Sequence, residues 1–143
     1  MNVPPTSFQN PSDAVIVEIL SHPRRVAVVG CSPDPTRDSH RIARLLLEKG
    51  HTVVPVNPKA DTIMGLPCYA SLTSIPDKVG MVDIFRRSSE VAPIVDEAIA
   101  IGARIVWMQL GVIDEEAGQR ARNAGLTVVM DRCPAIEYRR LLS

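Results

Sequence analysis

Aromatic side chains, lysine and net charge are all scarce in this sequence of 143 residues. Aromatic residues make up 3% of the chain, and 16 basic residues balance 16 acidic ones. Proteins that bind nucleic acids or membrane surfaces present positive fields, and single-stranded nucleic acids stack on aromatic rings. The composition therefore argues against nucleic-acid and membrane partners.

The sequence also lacks paired cysteines and long hydrophobic runs. Cys31, Cys68 and Cys133 are far apart, with no spacing typical of a zinc site or a disulfide framework. The histidines form no helical pair with each other or with a cysteine, so we expect no metal site. Isolated cysteines indicate a reducing, cytoplasmic compartment. Residues 14–20 are apolar but contain Glu18, and they do not resemble a signal peptide.

Prolines and polar residues dominate the start of the chain and predict a flexible N-terminal arm over residues 1–12. The remainder, residues 13–143, is long enough for one domain with a sizeable core and too short for two. Hydrophobic periodicity predicts helices over about 12–20, 39–49, 91–102, 114–125 and 134–142. Strands are expected over about 25–30, 52–56, 67–70, 81–85, 104–108 and 126–130. In the last helix, Ile136, Leu141 and Leu142 are expected to face inward, and Glu137 and Tyr138 outward.

Strands and helices alternate along the chain, which is typical of a doubly wound parallel sheet in a three-layer α/β/α domain. The apolar run 26–29 suits a strand that is buried on both faces. In such sheets, ligands bind beyond the carboxyl ends of the strands, where the strand order reverses. The residues that follow each predicted strand are therefore the candidates for a binding site.

Basic residues follow most of the predicted strands. They are Arg37, Lys59, Arg86, Arg87 and Arg132. Helix N-termini near Asp38 and Ser88 add backbone N–H donors, which favour anions. Together these features predict an anionic, phosphorylated ligand, whereas the alternative is that the arginines form ordinary surface ion pairs.

The loop after the first strand differs from the dinucleotide-binding fingerprint. It has a single glycine, Gly30, and is stiffened by Pro33 and Pro35. An NAD site also uses an acidic residue after the second strand, where this chain has Asn57-Pro58-Lys59. These changes point away from NAD and towards a ligand with a ribose phosphate, which leaves NADP and coenzyme A open.

Three further side chains near this edge have competing interpretations. Ser32 lies in a near-match to the hydrolase nucleophile motif, but Asp34 replaces its final glycine, so a turn former is the favoured interpretation. Cys31 lies beside a helix N-terminus that can lower a thiol pKa, although a small apolar filler is the favoured interpretation. Asp83 is expected to pair with an arginine or to cap backbone groups.

Several segments together resemble the stand-alone CoA-binding domain family. The matching segments are residues 28–32 (VVGCS), 37–39 (RDS), 54–59 (VPVNPK), 83–87 (DIFRR), 106–111 (VWMQLG) and 129–134 (VMDRCP). The resemblance covers about residues 15–142. Larger relatives of this family are the N-terminal domain of the succinyl-CoA synthetase alpha subunit and the ADP-forming acyl-CoA synthetases.

The resemblance implies a Rossmann-like fold that binds coenzyme A or an acyl-CoA. In the synthetases, CoA is held by the first loop, by a lysine after the second strand and by the ends of the two following central strands. Lys59 is then expected to meet the ribose phosphate, and Arg37 with the loop amides the pyrophosphate, while Pro58, Phe85 and Met108 form walls. The predicted site is Gly30, Cys31, Ser32, Arg37, Asn57, Pro58, Lys59, Phe85, Arg86, Arg87, Met108, Gln109 and Leu110.

The resemblance also bears on activity. The chain has no second domain to carry the phosphorylated histidine of the synthetases and no grasp-type nucleotide domain, so we expect CoA binding without catalysis. The alternatives are an NADP-dependent reductase, or a CoA-responsive subunit of a synthetase-like partner that senses oxidation through Cys31. A parallel sheet with an exposed edge is also compatible with a homodimer.

Overall fold

The computed structural model describes residues 8–143. The strands are β1 (Arg25–Val29), β2 (Thr52–Val56), β3 (Thr62–Ile63), β4 (Leu66–Pro67), β5 (Met81–Ile84), β6 (Ile105–Met108) and β7 (Thr127–Val129). The α-helices are α1 (Asp13–Ser21), α2 (Asp38–Glu48), α3 (Val91–Ala100), α4 (Glu115–Asn123) and α5 (Pro134–Leu142). Two short 3-10 turns cover Leu72–Ser74 and Ser88–Glu90.

Five strands form one parallel sheet in the order β2-β1-β5-β6-β7, while β3 and β4 form a small antiparallel hairpin. The chain moves outward from β1 to β2 and then returns to the other side of β1 as β5. The strand order therefore reverses between β1 and β5, and the crevice expected of a doubly wound sheet opens there. The predicted parallel sheet is confirmed.

The central strands are mainly hydrophobic because both faces of the sheet are covered, and Asp83 on β5 is the buried exception. Val28 on β1 faces one apolar layer, together with residues of α1, α2 and α5. Val82 and Ile84 on β5 face the other layer, together with residues of α3 and α4. These layers produce the three-layer α/β/α domain that the sequence predicted. No helix within residues 8–143 is long and apolar enough to span a membrane.

Residues 8–12 contact the far edge of the sheet. The Asn10 side-chain amide accepts from Met130 N at 2.7 Å and donates to Met130 O at 2.9 Å, just beyond β7. The guanidinium of Arg122 lies 3.8 Å from the centre of the Phe8 ring. This segment therefore covers the end of an edge strand that would otherwise expose backbone donors and acceptors. The rest of the predicted arm, residues 1–7, lies outside the described residues.

The orientation of α5 differs from the prediction. Glu137 and Tyr138 are 2% and 7% exposed, whereas Ile136 is 41% exposed. The Tyr138 hydroxyl donates to Leu20 O at 3.0 Å, and Glu137 accepts from Arg140 at 2.7 Å. Both polar groups have hydrogen-bond partners where α5 packs on α1 and α2. The face that carries them can therefore be buried, although hydropathy alone favoured burial of the face with Ile136.

Candidate functional site

Gly30 begins the loop that follows β1, and it lies in close contact with the end of β5. Its φ is +84°, and a β-carbon there would stand 2.4 Å from the carbonyl oxygen of Phe85. Gly30 N donates to Val56 O at 2.9 Å, and Phe85 N donates to Val29 O at 2.8 Å. The start of the loop is therefore held between β2 and β5, with space for glycine alone.

Polar contacts within the first loop hold its shape. Ser32 N donates to Ser39 Oγ at 2.9 Å, and Asp34 N donates to Ser32 Oγ at 3.1 Å. The Asp34 carboxylate accepts from Thr36 N and Thr36 Oγ1 at 2.9 and 2.8 Å, and these bonds lower the pKa of Asp34. The loop is thus preformed, and Ser32 acts as a turn former, in agreement with the favoured interpretation.

His40 joins α2 to this loop. Its ring is 4% exposed, with Nδ1 2.9 Å from Ser32 O and Nε2 3.1 Å from an Arg44 nitrogen. Arginine can only donate, so Nε2 accepts and the ring proton lies on Nδ1, from which it is donated to Ser32 O. The loop and the first turns of α2 therefore form one rigid unit.

The N-terminus of α2 faces this loop. Arg37 occupies the N-cap position, and its side chain makes no capping hydrogen bond. The first N–H groups of a helix need external partners and attract anions. They border a first-loop cavity of about 440 Å³, lined by Gly30, Ser32, Thr36, Arg37, Asp38, Ser39 and Phe85. This cavity has the chemistry of a phosphate site, with the exposed Arg37 at its margin.

A larger, mainly apolar cavity of about 630 Å³ lies between α2 and the start of α5, at the ends of β5 and β6. We call it the α2–α5 cavity. Its lining consists of Asp38, Arg41, Ile42, Leu45, Phe85, Arg86, Gln109, Leu110, Val112, Cys133 and Ala135. Gln109 is 7% exposed, and its Oε1 has no hydrogen-bond partner among residues 8–143.

A third cavity, of about 400 Å³, lies at the ends of β1 and β2. We call it the β1–β2 cavity. Its lining consists of Val29, Gly30, Val56, Pro58, Ala70, Ser71, Leu72, Arg86, Ser89, Glu90, Pro93, Ile94 and Glu97. Glu97 Oε1 is buried without a hydrogen-bond partner in the described part of the chain. Apolar walls with a buried acceptor suit a flat ring that carries an amino group.

The three cavities share wall residues and so adjoin one another. Phe85 and Asp38 line both the first-loop cavity and the α2–α5 cavity. Gly30 lines the first-loop and β1–β2 cavities, and Arg86 lines the β1–β2 and α2–α5 cavities. A single elongated ligand can therefore extend across the crevice at the carboxyl end of β5.

Most of the predicted site residues line these cavities: Gly30, Ser32, Arg37, Pro58, Phe85, Arg86, Gln109 and Leu110. Asn57 instead holds the second loop to the first, because its Nδ2 donates to Cys31 O at 2.9 Å. Lys59 and Arg87 are exposed beside the crevice. The side chains of Cys31 and Met108 have no exposed surface and belong to the core.

The predicted basic residues do not all converge at the crevice. Arg86 pairs with Glu90 at 2.6 Å, so the surface ion pair offered as the alternative applies to this residue. Arg132 lies instead in a separate cavity that Phe8 and Asn10 also line. The charge of the crevice therefore comes mainly from Arg37, with Lys59 and Arg87 nearby.

The hypothesis of a reactive Cys31 is wrong. Burial, with smaller contributions from nearby Cys68 and Asp83, raises the pKa of this thiol to about 12. Cys31 is fully buried in the apolar layer under α2, where a thiolate would be poorly solvated. The favoured interpretation as an apolar filler agrees with this environment.

Asp83 has neither of the partners that the sequence suggested. It lies on β5 in register with Val28 and Trp107, and it is fully buried. Both carboxyl oxygens lack a hydrogen-bond partner within residues 8–143. Burial raises the pKa of Asp83 well above its ordinary value, because a charge there would have neither water nor a partner among the described residues, so burial favours the neutral acid.

The apolar lining of the α2–α5 cavity was missed by the sequence argument, which considered mainly the residues that follow strands. Ile42 and Leu45 have the i, i+3 spacing of one helix face, and by itself that spacing indicates packing against the sheet. Cys133 and Ala135 follow the last strand closely, and this position is the sequence signal for them. Their position at the start of α5 beside α2 depends on how the two helices pack.

The fold defines a class: single-domain, Rossmann-like α/β proteins with a crevice at the carboxyl ends of their parallel strands. The family model described as the CoA binding domain matches residues 24–139. The chain therefore belongs to the CoA-binding domain family.

Similar proteins include both short and long chains. An uncharacterized protein of Bacillus subtilis, YneT, is 39% identical over 131 residues, which cover 92% of this chain and 97% of that protein. A hypothetical protein from Pyrococcus horikoshii has a solved structure with a TM-score of 0.89 and 39% identity, covering 96% and 99% of the two chains. The ADP-forming acetate–CoA ligase I of Archaeoglobus fulgidus is 29% identical over 127 residues, covering 82% of this chain and 18% of the ligase.

Proposed function

We propose that this protein binds coenzyme A or an acyl-CoA across the crevice at the carboxyl end of β5, without catalysis of its own. The observation that carries this proposal is the junction of three cavities, which share Gly30, Phe85 and Arg86 as wall residues and are each suited to one part of that ligand. Membership of the CoA-binding domain family and similarity to part of an acetate–CoA ligase support the same ligand.

The pyrophosphate would lie in the first-loop cavity. Arg37 and the uncapped N–H groups of α2 offer positive charge and donors there. Pro33 and Pro35 stiffen the loop, and the Ser32–Ser39 bond holds it in shape. Little ordering is then needed when the ligand binds.

The adenine ring would occupy the β1–β2 cavity. Pro58 and Ile94 supply apolar walls, and Glu97 Oε1 is a buried acceptor for the exocyclic amino group of adenine. Lys59 follows Pro58 and is exposed at the margin of this cavity. Its ammonium group would reach the ribose phosphate, a charge-assisted contact that NAD could not make.

The proposal of binding without catalysis rests on the hydrogen bonds and the burial of the candidate nucleophiles and of the nearby histidine. The Ser32 hydroxyl accepts from Asp34 N and supports the loop. The Cys31 thiol is fully buried with a raised pKa. His40 is engaged at both ring nitrogens, so it offers no free base to Ser32.

Calorimetric titration with CoA, dephospho-CoA, NADPH and NAD tests the proposal. We expect CoA to bind most tightly and dephospho-CoA more weakly. Lys59→Ala should weaken CoA binding by roughly 1–3 kcal/mol, the scale of a charge-assisted hydrogen bond, and leave dephospho-CoA unaffected. Lys78→Ala is the matched control, because Lys78 precedes β5 and lies at the opposite edge of the sheet.

Two results would overturn this assignment. Unchanged CoA affinity in Lys59→Ala would show that the ribose phosphate lies elsewhere. A clear preference for NADPH over CoA would favour the reductase alternative, since both ligands carry a ribose phosphate.

A further inference from the structure

Gln109 carries an unsatisfied polar group in a mainly apolar wall. It is 7% exposed at the end of β6, it lines the α2–α5 cavity, and its Oε1 has no hydrogen-bond partner among the described residues. A buried amide oxygen without a donor is unfavourable, and such groups are uncommon in folded proteins. The oxygen is enclosed in this structure, so a ligand that brings an N–H group into the cavity would satisfy it after a rotation of the Gln109 side chain.

The apolar wall of the cavity suits a flexible hydrocarbon ligand. Ile42 and Leu45 of α2 line one side, and Ala135 at the start of α5 lines another. Leu110 is 58% exposed at its rim. The volume of about 630 Å³ lies in the middle of the range for small-molecule sites.

The charged groups at the rim are already paired. Arg41 forms an ion pair with Asp38, and Arg86 pairs with Glu90. No lining residue of this cavity offers an unpaired cation for the free carboxylate of an acidic acyl group. The cavity therefore favours an uncharged acyl chain over an acidic one.

We propose that the α2–α5 cavity receives the pantetheine arm and an uncharged acyl group of an acyl-CoA, and that Gln109 Oε1 accepts an amide N–H of the arm. This inference rests on the proposed function, and it adds a ligand preference: a short uncharged acyl-CoA binds more tightly than CoA or an acidic acyl-CoA. Phe85 and Asp38 connect this cavity to the first-loop cavity, so the arm follows directly from the pyrophosphate.

Gln109→Met separates a binding role from a structural one. Methionine keeps the approximate length of the side chain and removes the amide, and the amide oxygen has no protein partner to lose. We expect the ligand-free variant to melt at the same temperature as the parent protein or higher. A residue that stabilised the fold through its amide would lower the melting temperature instead.

Calorimetric titration with four ligands provides the test: adenosine 3′-phosphate 5′-diphosphate, CoA, butanoyl-CoA and succinyl-CoA. In the parent protein, we expect butanoyl-CoA to bind more tightly than CoA, and succinyl-CoA more weakly than butanoyl-CoA. Gln109→Met should weaken CoA and butanoyl-CoA about tenfold and leave the nucleotide diphosphate unchanged. Gln119→Met, on the exposed face of α4, is the matched control.

A cavity-filling variant tests the acyl group separately. Ala135→Phe places a ring in the wall of the α2–α5 cavity, so the advantage of butanoyl-CoA over CoA should disappear while the nucleotide diphosphate still binds. If the parent protein binds the four ligands and Gln109→Met binds each of them with the same affinity, the subsite is wrong and the proposed function stands. If neither the nucleotide diphosphate nor CoA binds the parent protein, the proposed function itself fails, and the subsite with it.

Discussion

Gly30 and Phe85 approach each other so closely that a β-carbon on Gly30 would lie 2.4 Å from the Phe85 carbonyl oxygen. This contact joins the end of β1 to the end of β5, where the strand order reverses. The neighbouring atom belongs to backbone that the sheet holds in place, so it has little freedom to move. The crevice depends on this contact, because Gly30 and Phe85 both line it.

Gly30→Ala should therefore destabilise the fold strongly. We expect a loss of roughly 3 kcal/mol or more in the free energy of unfolding, from positive φ and backbone overlap together. Gly111→Ala is the matched control, since Gly111 has the same φ of +84° and no atom within 4 Å of the added carbon. It should lose only roughly 1–2 kcal/mol in denaturant unfolding. Equal losses in the two variants would contradict the importance of the Gly30–Phe85 contact.

Asp83→Asn should stabilise the protein at neutral pH. Burial raises the pKa of Asp83, so from about pH 4 upward the unfolded chain releases a proton that the folded protein retains. Stability contributed by this group is complete below about pH 4 and declines as the pH rises towards the raised pKa. The advantage of Asp83→Asn in urea unfolding should grow between pH 4 and pH 7, by at most about 1.4 kcal/mol per pH unit.

Asp77→Asn, in an exposed loop, should show no such growth. A pH-independent difference for Asp83→Asn would refute this account.

His51 should make the fold less stable in mild acid. Its Nδ1 accepts from Arg24 N at 3.2 Å, so the ring proton lies on Nε2, 3.1 Å from the Tyr138 hydroxyl. Burial lowers the pKa of His51 below 6.5, so between that value and the folded pKa only the unfolded chain is protonated. Its contribution to stability is complete above about pH 7 and is lost as the pH falls.

His51→Gln, which cannot take up this proton, tests that dependence. The variant should be less stable than the parent at pH 7, and its deficit should shrink between pH 6.5 and pH 5. The exposed His22→Gln is the control for replacing an imidazole outside the core. A constant deficit for His51→Gln across this range would rule out the buried neutral histidine as its cause.

The three thiols should react in an order set by burial. Cys31 is fully buried with a pKa near 12, and burial also raises the pKa of Cys68. Cys133 is half-buried in the wall of the α2–α5 cavity. We expect iodoacetamide to label Cys133 before Cys68, with Cys31 unlabelled unless guanidinium is added, as measured by peptide mass spectrometry. Bound butanoyl-CoA should slow labelling of Cys133. Early labelling of Cys31 in the folded protein would be incompatible with this structure.

Local sequence patterns were sufficient for most of the secondary structure. The side chains of Ser12 and Asp114, which precede two of the predicted helices, cap them by accepting hydrogen bonds from Val15 N and Ala117 N. The apolar runs are strands because both faces of a parallel sheet are covered. The predicted strand at residues 67–70 is different: Leu66–Pro67 pairs with Thr62–Ile63, and Tyr69 alone bridges to Val56.

Long-range packing decided the features that the patterns missed. Glu137 and Tyr138 are buried because Arg140 and Leu20 O supply their partners, and Leu20 is far away in the chain. The Asp83 carboxyl has no partner among residues 8–143 because no arginine reaches the centre of β5, although Arg86 is only three residues away in the sequence. Neither outcome can be obtained from hydropathy, which treats each residue without its spatial partners.

The sequence by itself determined the alternation of strands and helices, the position of the crevice at the strand ends and the family of the protein. Each of these follows from periodicity or from short segments that are contiguous in the chain. Only the tertiary structure decided which strand-end residues face the crevice, that α2 and α5 enclose an apolar cavity, and that Gln109 Oε1 is left without a donor. These features depend on side chains from distant segments meeting in space, and local physical preferences carry no information about which segments meet.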